Sequence, residues 1–284
     1  QFVYRVTSFT LGGRLAEAYD LHPRWIADPA DAPSDATRPV VYLFTNYLWS
    51  HERNLEFAQQ VKAANPLALT IHGGPDCPTY PGEDETYLRR NPQVDVVVRG
   101  EGEAVASEVL AALAPTIGSG RPDLAALASV PGVTFRDGDQ IVRTGERSRI
   151  EDVDTIPSPY LTGVFDAFGD TREIGLAIIE TNRGCPYGCT FCDWGSATNS
   201  RIRKFDLERV LAEFTWCAEH AVPKIFIADA NFGIFARDVD IARHVVDLKA
   251  RFGFPKRFIT NYAKNTVKHL KEIIEIFAEA GILS

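Results

Sequence analysis

The stretch Cys185-Pro186-Tyr187-Gly188-Cys189-Thr190-Phe191-Cys192 constrains this chain more than any other. It follows Asn182-Arg183-Gly184 and sets three thiols in CxxxCxxC spacing on a loop that contains both Gly and Pro. Three thiolates so close together can bind one face of a metal centre. A structural zinc or a saturated four-iron cluster takes a fourth protein ligand. Five cysteines are present in all, and the other two are badly placed for that role. Cys77 lies more than a hundred residues upstream in another unit, and Cys217 falls inside a helical pattern. Three ligands therefore point to a cluster with one iron open to a substrate or cofactor. A zinc knuckle or a redox thiol group is the alternative.

Length and charge narrow the class. A chain of 284 residues has room for two domains. With 45% hydrophobic and 24% charged residues it has ordinary globular composition. A net charge of -8 suggests neither nucleic acid nor an anionic membrane as a partner. No run of about eighteen apolar residues marks a membrane helix, and no signal-peptide pattern is visible. Thiols clustered on one loop fit a reducing, cytoplasmic compartment better than a disulfide framework.

Residues 1–115 read as alternating strands and helices. Phe2–Val6 is a first strand and Leu15–Tyr19 a short helix, with a Pro- and Asp-rich linker over Ala27–Pro39. Val40–Phe44 is a continuous apolar run, the pattern of a parallel strand buried on both faces. A helix over Glu52–Ala64 follows, with Leu55, Ala58 and Val61 on one side. Leu67–Ile71 and Val94–Val98 are the next strands, and Ala104–Leu113 is a helix. Loops after the carboxyl ends of such strands line the edge where ligands bind in open α/β sheets.

Residues 116–172 read as a connector. Val133–Arg136 and Gln140–Arg143 form a β-hairpin across a turn that contains Gly138, and Ile156–Tyr160 is a stiff Pro-containing segment. The β/α alternation resumes in 173–284. Its strands are Ile174–Ile179, Lys224–Ile227 and Arg257–Thr260. The intervening helix stripes are Leu207, Val210, Leu211, Phe214 and Ala218, then Ile241, Val245 and Leu248, then Leu270, Ile273, Ile274 and Phe277. Asp206 caps the first of these helices, and Gly281 stops the last. The basic run Arg201–Lys204 reads as a solvated edge.

The cysteine loop with its aromatic Phe191 resembles the radical S-adenosylmethionine superfamily. Three segments ahead of it are similar to the cobalamin-binding domain of the cobalamin-dependent branch. They are Tyr47-Leu48-Trp49, Gly73-Gly74-Pro75-Asp76 and Arg99-Gly100-Glu101-Gly102-Glu103, each after a strand. The resemblance implies an α/β chain: an N-terminal Rossmann-like cobalamin-binding domain, then a partial radical SAM (β/α)6 barrel that continues beyond Ser284. It implies a [4Fe-4S] cluster on Cys185, Cys189 and Cys192, whose fourth iron chelates S-adenosylmethionine. Phe191, Trp194, Asp229, Asn231 and Asn261 would contact S-adenosylmethionine. Thr45, Tyr47, Leu48, Trp49, Gly73, Gly74, Pro75, Gly100, Glu101 and Glu103 would contact cobalamin.

One departure concerns the lower face of cobalt. Asp20-Leu21-His22-Pro23-Arg24-Trp25 lacks the glycine of the DxHxxG pattern and follows a helix, so His22 is not expected to ligate. Arg14 and Trp49 are the candidates to cover that face. The activity implied is methyl transfer to a substrate carbon, using methylcobalamin and a 5'-deoxyadenosyl radical. The substrate would be a small molecule, natural product or peptide, and the electron would come from an external donor such as flavodoxin or ferredoxin. A redox rearrangement without methylation, or a cluster and corrinoid carrier, remain the other readings.

Overall fold

The structure is a computed structural model, and it describes residues 39–116, 120–163, 165, 174–190, 192, 201–263 and 268–284. The expected first strand, the Leu15–Tyr19 helix, Arg14 and the Asp20–His22 stretch lie outside the described residues. The chain divides into two compact units that meet in sequence at Ile150 and Glu151.

The first unit is built on a five-stranded sheet in the order β1-β2-β3-β4-β5. Strands β1 (Val41–Thr45), β2 (Leu69–Gly73) and β3 (Val96–Val98) run parallel. Residues Leu69–His72 and Val96–Val98 are buried without a break, because helices cover both faces of these strands. Helix α1 (His51–Ala64) packs Phe57, Ala58 and Val61 against Phe44. Helix α2 (Glu83–Arg90) closes a second cluster on Cys77, Leu88, Val94 and Val97. On the opposite face α3 (Gly102–Leu113) sets Val105, Val109 and Leu113 over Leu69, Ile71, Val96 and Val98.

Helix α2 is absent from the sequence reading, since only Asp84 and Leu88 of its eight residues are buried and no side chain caps it. Its signal is electrostatic: Glu83, Asp84 and Glu85 open it and Arg89 and Arg90 close it, each charge matching the helix dipole. The hairpin β4 (Val133–Asp137) and β5 (Gln140–Arg143) forms as expected and adds antiparallel to β3, extending this sheet. A buried carboxylate helps to fix it there. Asp84 accepts from Thr134 Oγ1 and Arg143 Nη1, and from Arg99 Nη1 at 3.4 Å. Arg99 also donates to the carbonyls of Thr144 at 2.7 Å and Gly145 at 3.1 Å.

The second unit carries a parallel sheet in the order β10-β9-β6, from β6 (Ala177–Ile179), β9 (Lys224–Phe232) and β10 (Arg257–Tyr262). Each strand lies beside the previous one, with α4 (Leu207–Glu219), α5 (Arg237–Phe252) and α6 (Lys268–Glu279) as the connecting and following helices. The helices bury Val210, Phe214, Ile241, Val245, Ile273 and Phe277 against Ile225, Ile227 and Phe258. Asp206 does cap α4, accepting from the amides of Glu208 and Arg209, and Cys217 is a core thiol. The residues that alternate with this core, Ile178, Phe226 and Ile259, stand in one register row and are more open.

Strand β9 runs five residues past the expected Ile227, and β10 two past Thr260, so Asp229, Asn231 and Asn261 are strand residues rather than loop residues. A short antiparallel pair, β7 (Asn182–Arg183) with β8 (Arg203–Lys204), flanks the cysteine loop. Half of the basic run is thus a strand paired to the lead-in of that loop, with Arg201 and Lys204 exposed and Arg203 partly buried.

The edge of β6 is satisfied by a side chain. Tyr160 Oη donates to the Ile178 carbonyl at 2.6 Å and accepts from the Ile178 amide at 2.9 Å. Beyond α6, Leu283 forms a parallel bridge with Arg257, and its carbonyl accepts from the Phe258 amide at 2.8 Å.

Candidate functional site

In the second unit the site begins where β6 ends. The chain passes through Thr181 and β7 into Gly184 and Cys185, at the carboxyl edge of the sheet where barrel chemistry collects. Cys185, Cys189 and Cys192 form no disulfide and are only half-buried. The Cys192 amide donates to the Cys189 carbonyl at 3.1 Å, turning the loop between the second and third sulfur. The remaining two cysteines differ in kind: burial pushes the Cys77 thiol up to about 12 and raises Cys217 as well, so both stay protonated core groups. The donor chemistry of the loop therefore fits a thiolate-bound cluster. Among the described residues no three His, Cys, Asp or Glu side chains converge on one ion. The thiolates of a cubane sit on different irons, so one-point convergence is not required of them.

Asp229 and Asn231 come to this segment from β9. The Asp229 carboxylate is buried and accepts from the Thr181 amide at 2.7 Å, the Asn182 amide at 3.2 Å, Asn182 Nδ2 at 2.7 Å and the Thr181 hydroxyl. Burial pushes its carboxyl up to about 7, against the pull of these donors towards the ionised form. Arg237 Nη2 donates to the Thr181 carbonyl at 2.8 Å. Asn231 Nδ2 donates to Cys185 Sγ at 3.2 Å. Asn261 is exposed on β10, and Tyr262 Oη lies 2.7 Å from Ser284 Oγ. Phe191 and Trp194 lie outside the described residues.

Thr181, Asn182 and Arg237 were not legible as part of this site. The one available signal was Asp229 itself, a carboxylate inside a buried strand, which must find partners.

In the first unit the exits of β1, β2 and β3 stand side by side along one sheet edge. The first two are tied together: Asn46 N donates to Gly73 O at 2.6 Å and Asp76 N to Asn46 O at 3.0 Å. Thr45, Tyr47, Leu48 and Trp49 are all exposed, Leu48 at 82% and Trp49 at 59%. The rings of Tyr47 and Trp49 stack at 4.8 Å. Large apolar side chains so open at a strand exit are the kind of surface that marks an interaction site. Gly73 sits beside Val98, Pro75 is exposed, and Gly100 has open space where a side chain would stand. Glu101 Oε2 accepts from the Ile150 amide at 2.7 Å, and Glu103 lies exposed in the first turn of α3.

Beneath this edge lies a polar core that sequence reasoning missed. Asn46 Nδ2 donates to His72 Nδ1 at 3.1 Å and to Cys77 Sγ at 3.2 Å, while Asn46 Oδ1 accepts from Asn54 Nδ2 at 2.7 Å. Burial pushes His72 down to about 3, so it is neutral. With Nδ1 accepting, its proton is on Nε2, which finds no partner among the described residues.

Residues 179–284 match the model of the radical SAM superfamily. The likeness to particular enzymes runs further along the sequence. The chain is 40% identical over 276 residues to the cobalamin-dependent radical SAM methyltransferase TokK of Streptomyces tokunonensis, covering 95% of this chain and 39% of that one. It is equally similar, with the same coverage, to the 2-(S-pantetheinyl)-carbapenam-3-carboxylate methyltransferase of Streptantibioticus cattleyicolor. The chain thus spans about two fifths of the length of these curated relatives. In fold it resembles the radical S-adenosylmethionine methyltransferase TsrM of Kitasatospora setae, solved with cobalamin and a [4Fe-4S] cluster bound. There the TM-score is 0.55 at 17% identity, over 86% of this chain and 46% of that one.

Proposed function

We propose that this chain is part of a cobalamin-dependent radical SAM methyltransferase, which moves a methyl group from S-adenosylmethionine to a carbon of a small-molecule or natural-product substrate. The observation that carries the reading is the cysteine loop at the exit of β6, with three half-buried cysteines outside any disulfide and an amide donor on the first. Cys185, Cys189 and Cys192 would hold the [4Fe-4S] cluster. Phe191, Trp194, Asn231 and Asn261 would face S-adenosylmethionine, with Asp229 holding the strand exit under them. In the first unit the Rossmann-like reading assigns the β1, β2 and β3 exits to cobalamin, with Thr45, Tyr47–Trp49, Gly73–Pro75, Gly100, Glu101 and Glu103 as the residues that would hold it. Trp49 is the candidate for the lower face.

When bound, these groups supply one-electron cleavage of S-adenosylmethionine and transfer of a methyl carried on cobalt. The protein's own share is to orient the groups and exclude water. An external donor such as flavodoxin or ferredoxin would supply the electron in the cytoplasm. The partition into 1–115, 116–172 and 173–284 belongs to the same reading. Among the described residues no helix is long and apolar enough to cross a membrane.

The test is anaerobic reconstitution of the protein with iron, sulfide and cobalamin, followed by dithionite and S-adenosylmethionine. Mass spectrometry should find both S-adenosylhomocysteine and 5'-deoxyadenosine, each reduced at least tenfold by Cys189→Ala. Neither product, with cluster and cobalamin both bound, would count against the methyltransferase reading and favour a cluster and corrinoid carrier.

A further inference from the structure

Strand β9 reaches the cysteine loop at two points. Asp229 and Asn231 are two residues apart, so their side chains leave the strand on the same face. The first grips Thr181 and Asn182 through four donors, and the second meets Cys185 itself. The Thr181 carbonyl is held in turn by Arg237 Nη2 and by the Phe205 amide at 3.1 Å. Backbone donor and acceptor of Thr181 are thus both fixed, four residues ahead of the first thiol. Asn231 is itself 8% exposed, so its amide is largely withdrawn from water.

We infer that Asn231 is a positioning residue for Cys185, whose side-chain N–H holds the thiolate and raises the reduction potential of the cluster bound there. The inference rests on the cluster reading above. The physical reason is charge. A reduced cluster carries one more electron, part of which resides on its thiolate ligands. An N–H aimed at the sulfur stabilises the reduced state more than the oxidised one, and hydrogen bonds to sulfur are among the factors that set these potentials. A donor anchored on a strand adds little reorganisation when the electron arrives.

The experiment is a potentiometric titration of the reconstituted protein without S-adenosylmethionine, followed by electron paramagnetic resonance. Asn231→Leu keeps the branched shape and removes the donor. At the potential where the unaltered cluster is half reduced, its reduced-to-oxidised ratio should fall about threefold or more, and further in Asn231→Asp, which sets a carboxylate on the sulfur. Asn231→Ala carries the same expectation should the leucine disturb the loop. Variants that keep four irons and titrate on the unaltered curve would overturn the inference and leave the cluster reading intact. Loss of the cluster in both Leu and Ala variants would overturn the tuning role in favour of a purely structural one. An unaltered protein that takes up no cluster would remove both readings together.

Discussion

At the scale of single residues, Gly74 and His72 show how differently two neighbours can be constrained. The resemblance read in the sequence implies that Gly73 and Gly74 contact cobalamin. In the fold Gly74 has a φ of +98°, and a Cβ there would stand 2.7 Å from Asn46 O and 2.8 Å from Asn46 N. The missing side chain admits the backbone of the adjacent strand exit. Gly74→Ala should therefore cost about 2–4 kcal/mol of stability, from backbone strain and overpacking together. A fall of less than about 0.5 kcal/mol in urea unfolding would reject that account. That a glycine was needed was legible in the order of the residues; what it makes room for was not, because the answer lies 28 residues upstream. His72 is the converse: nothing in its spacing distinguishes a buried, neutral imidazole from a surface one.

Among the elements, β9 and β6 illustrate what patterning can and cannot see. The apolar core of each strand was readable from composition. The ends were not, because the carboxyl half of β9 mixes Asp229 and Asn231 into the strand, and polar residues ordinarily mark a turn. Helix α2 failed for a related reason: with two buried residues it has no apolar stripe to find. The Tyr160 bridge to Ile178 is beyond any local pattern, since donor and acceptor are 18 residues apart. Tyr160→Phe should lose about 1 kcal/mol and leave the β6 backbone unpaired. Sedimentation should then show more self-association than in the unaltered protein; a monomeric, equally stable variant would refute the bridging role.

For the whole molecule, the two units should answer acid in opposite senses. His72 has its folded value lowered to about 3 from an ordinary 6.5, so below about pH 6.5 the unfolded chain takes up a proton that the folded chain refuses. The stability of the first unit falls as pH drops, by at most about 1.4 kcal/mol per pH unit from this group. Asp229 has its folded value raised to about 7 from an ordinary 3.8. Its contribution is fully present at low pH and is lost as pH rises through 7, so acid strengthens the second unit. Hydrogen exchange at pH 7.5 and 5.5, corrected for intrinsic rates, should show β2 losing protection while β9 gains it. Changes of the same sign in both strands would contradict this.

At this scale the CxxxCxxC loop and the two stretches of β/α alternation were open to reading. The lattice of Thr181, Asn182, Asp229 and Arg237 was not, since it joins segments about fifty residues apart by hydrogen bonds that no periodicity records. The Tyr160 phenol has one more effect, on the order of events. It leaves the ribosome before Ile178, and each later strand of this sheet docks beside the one already made. One margin of the sheet thus has its partner encoded ahead of its first strand, while the following chain pairs on the β10 side, through Leu283 and Arg257.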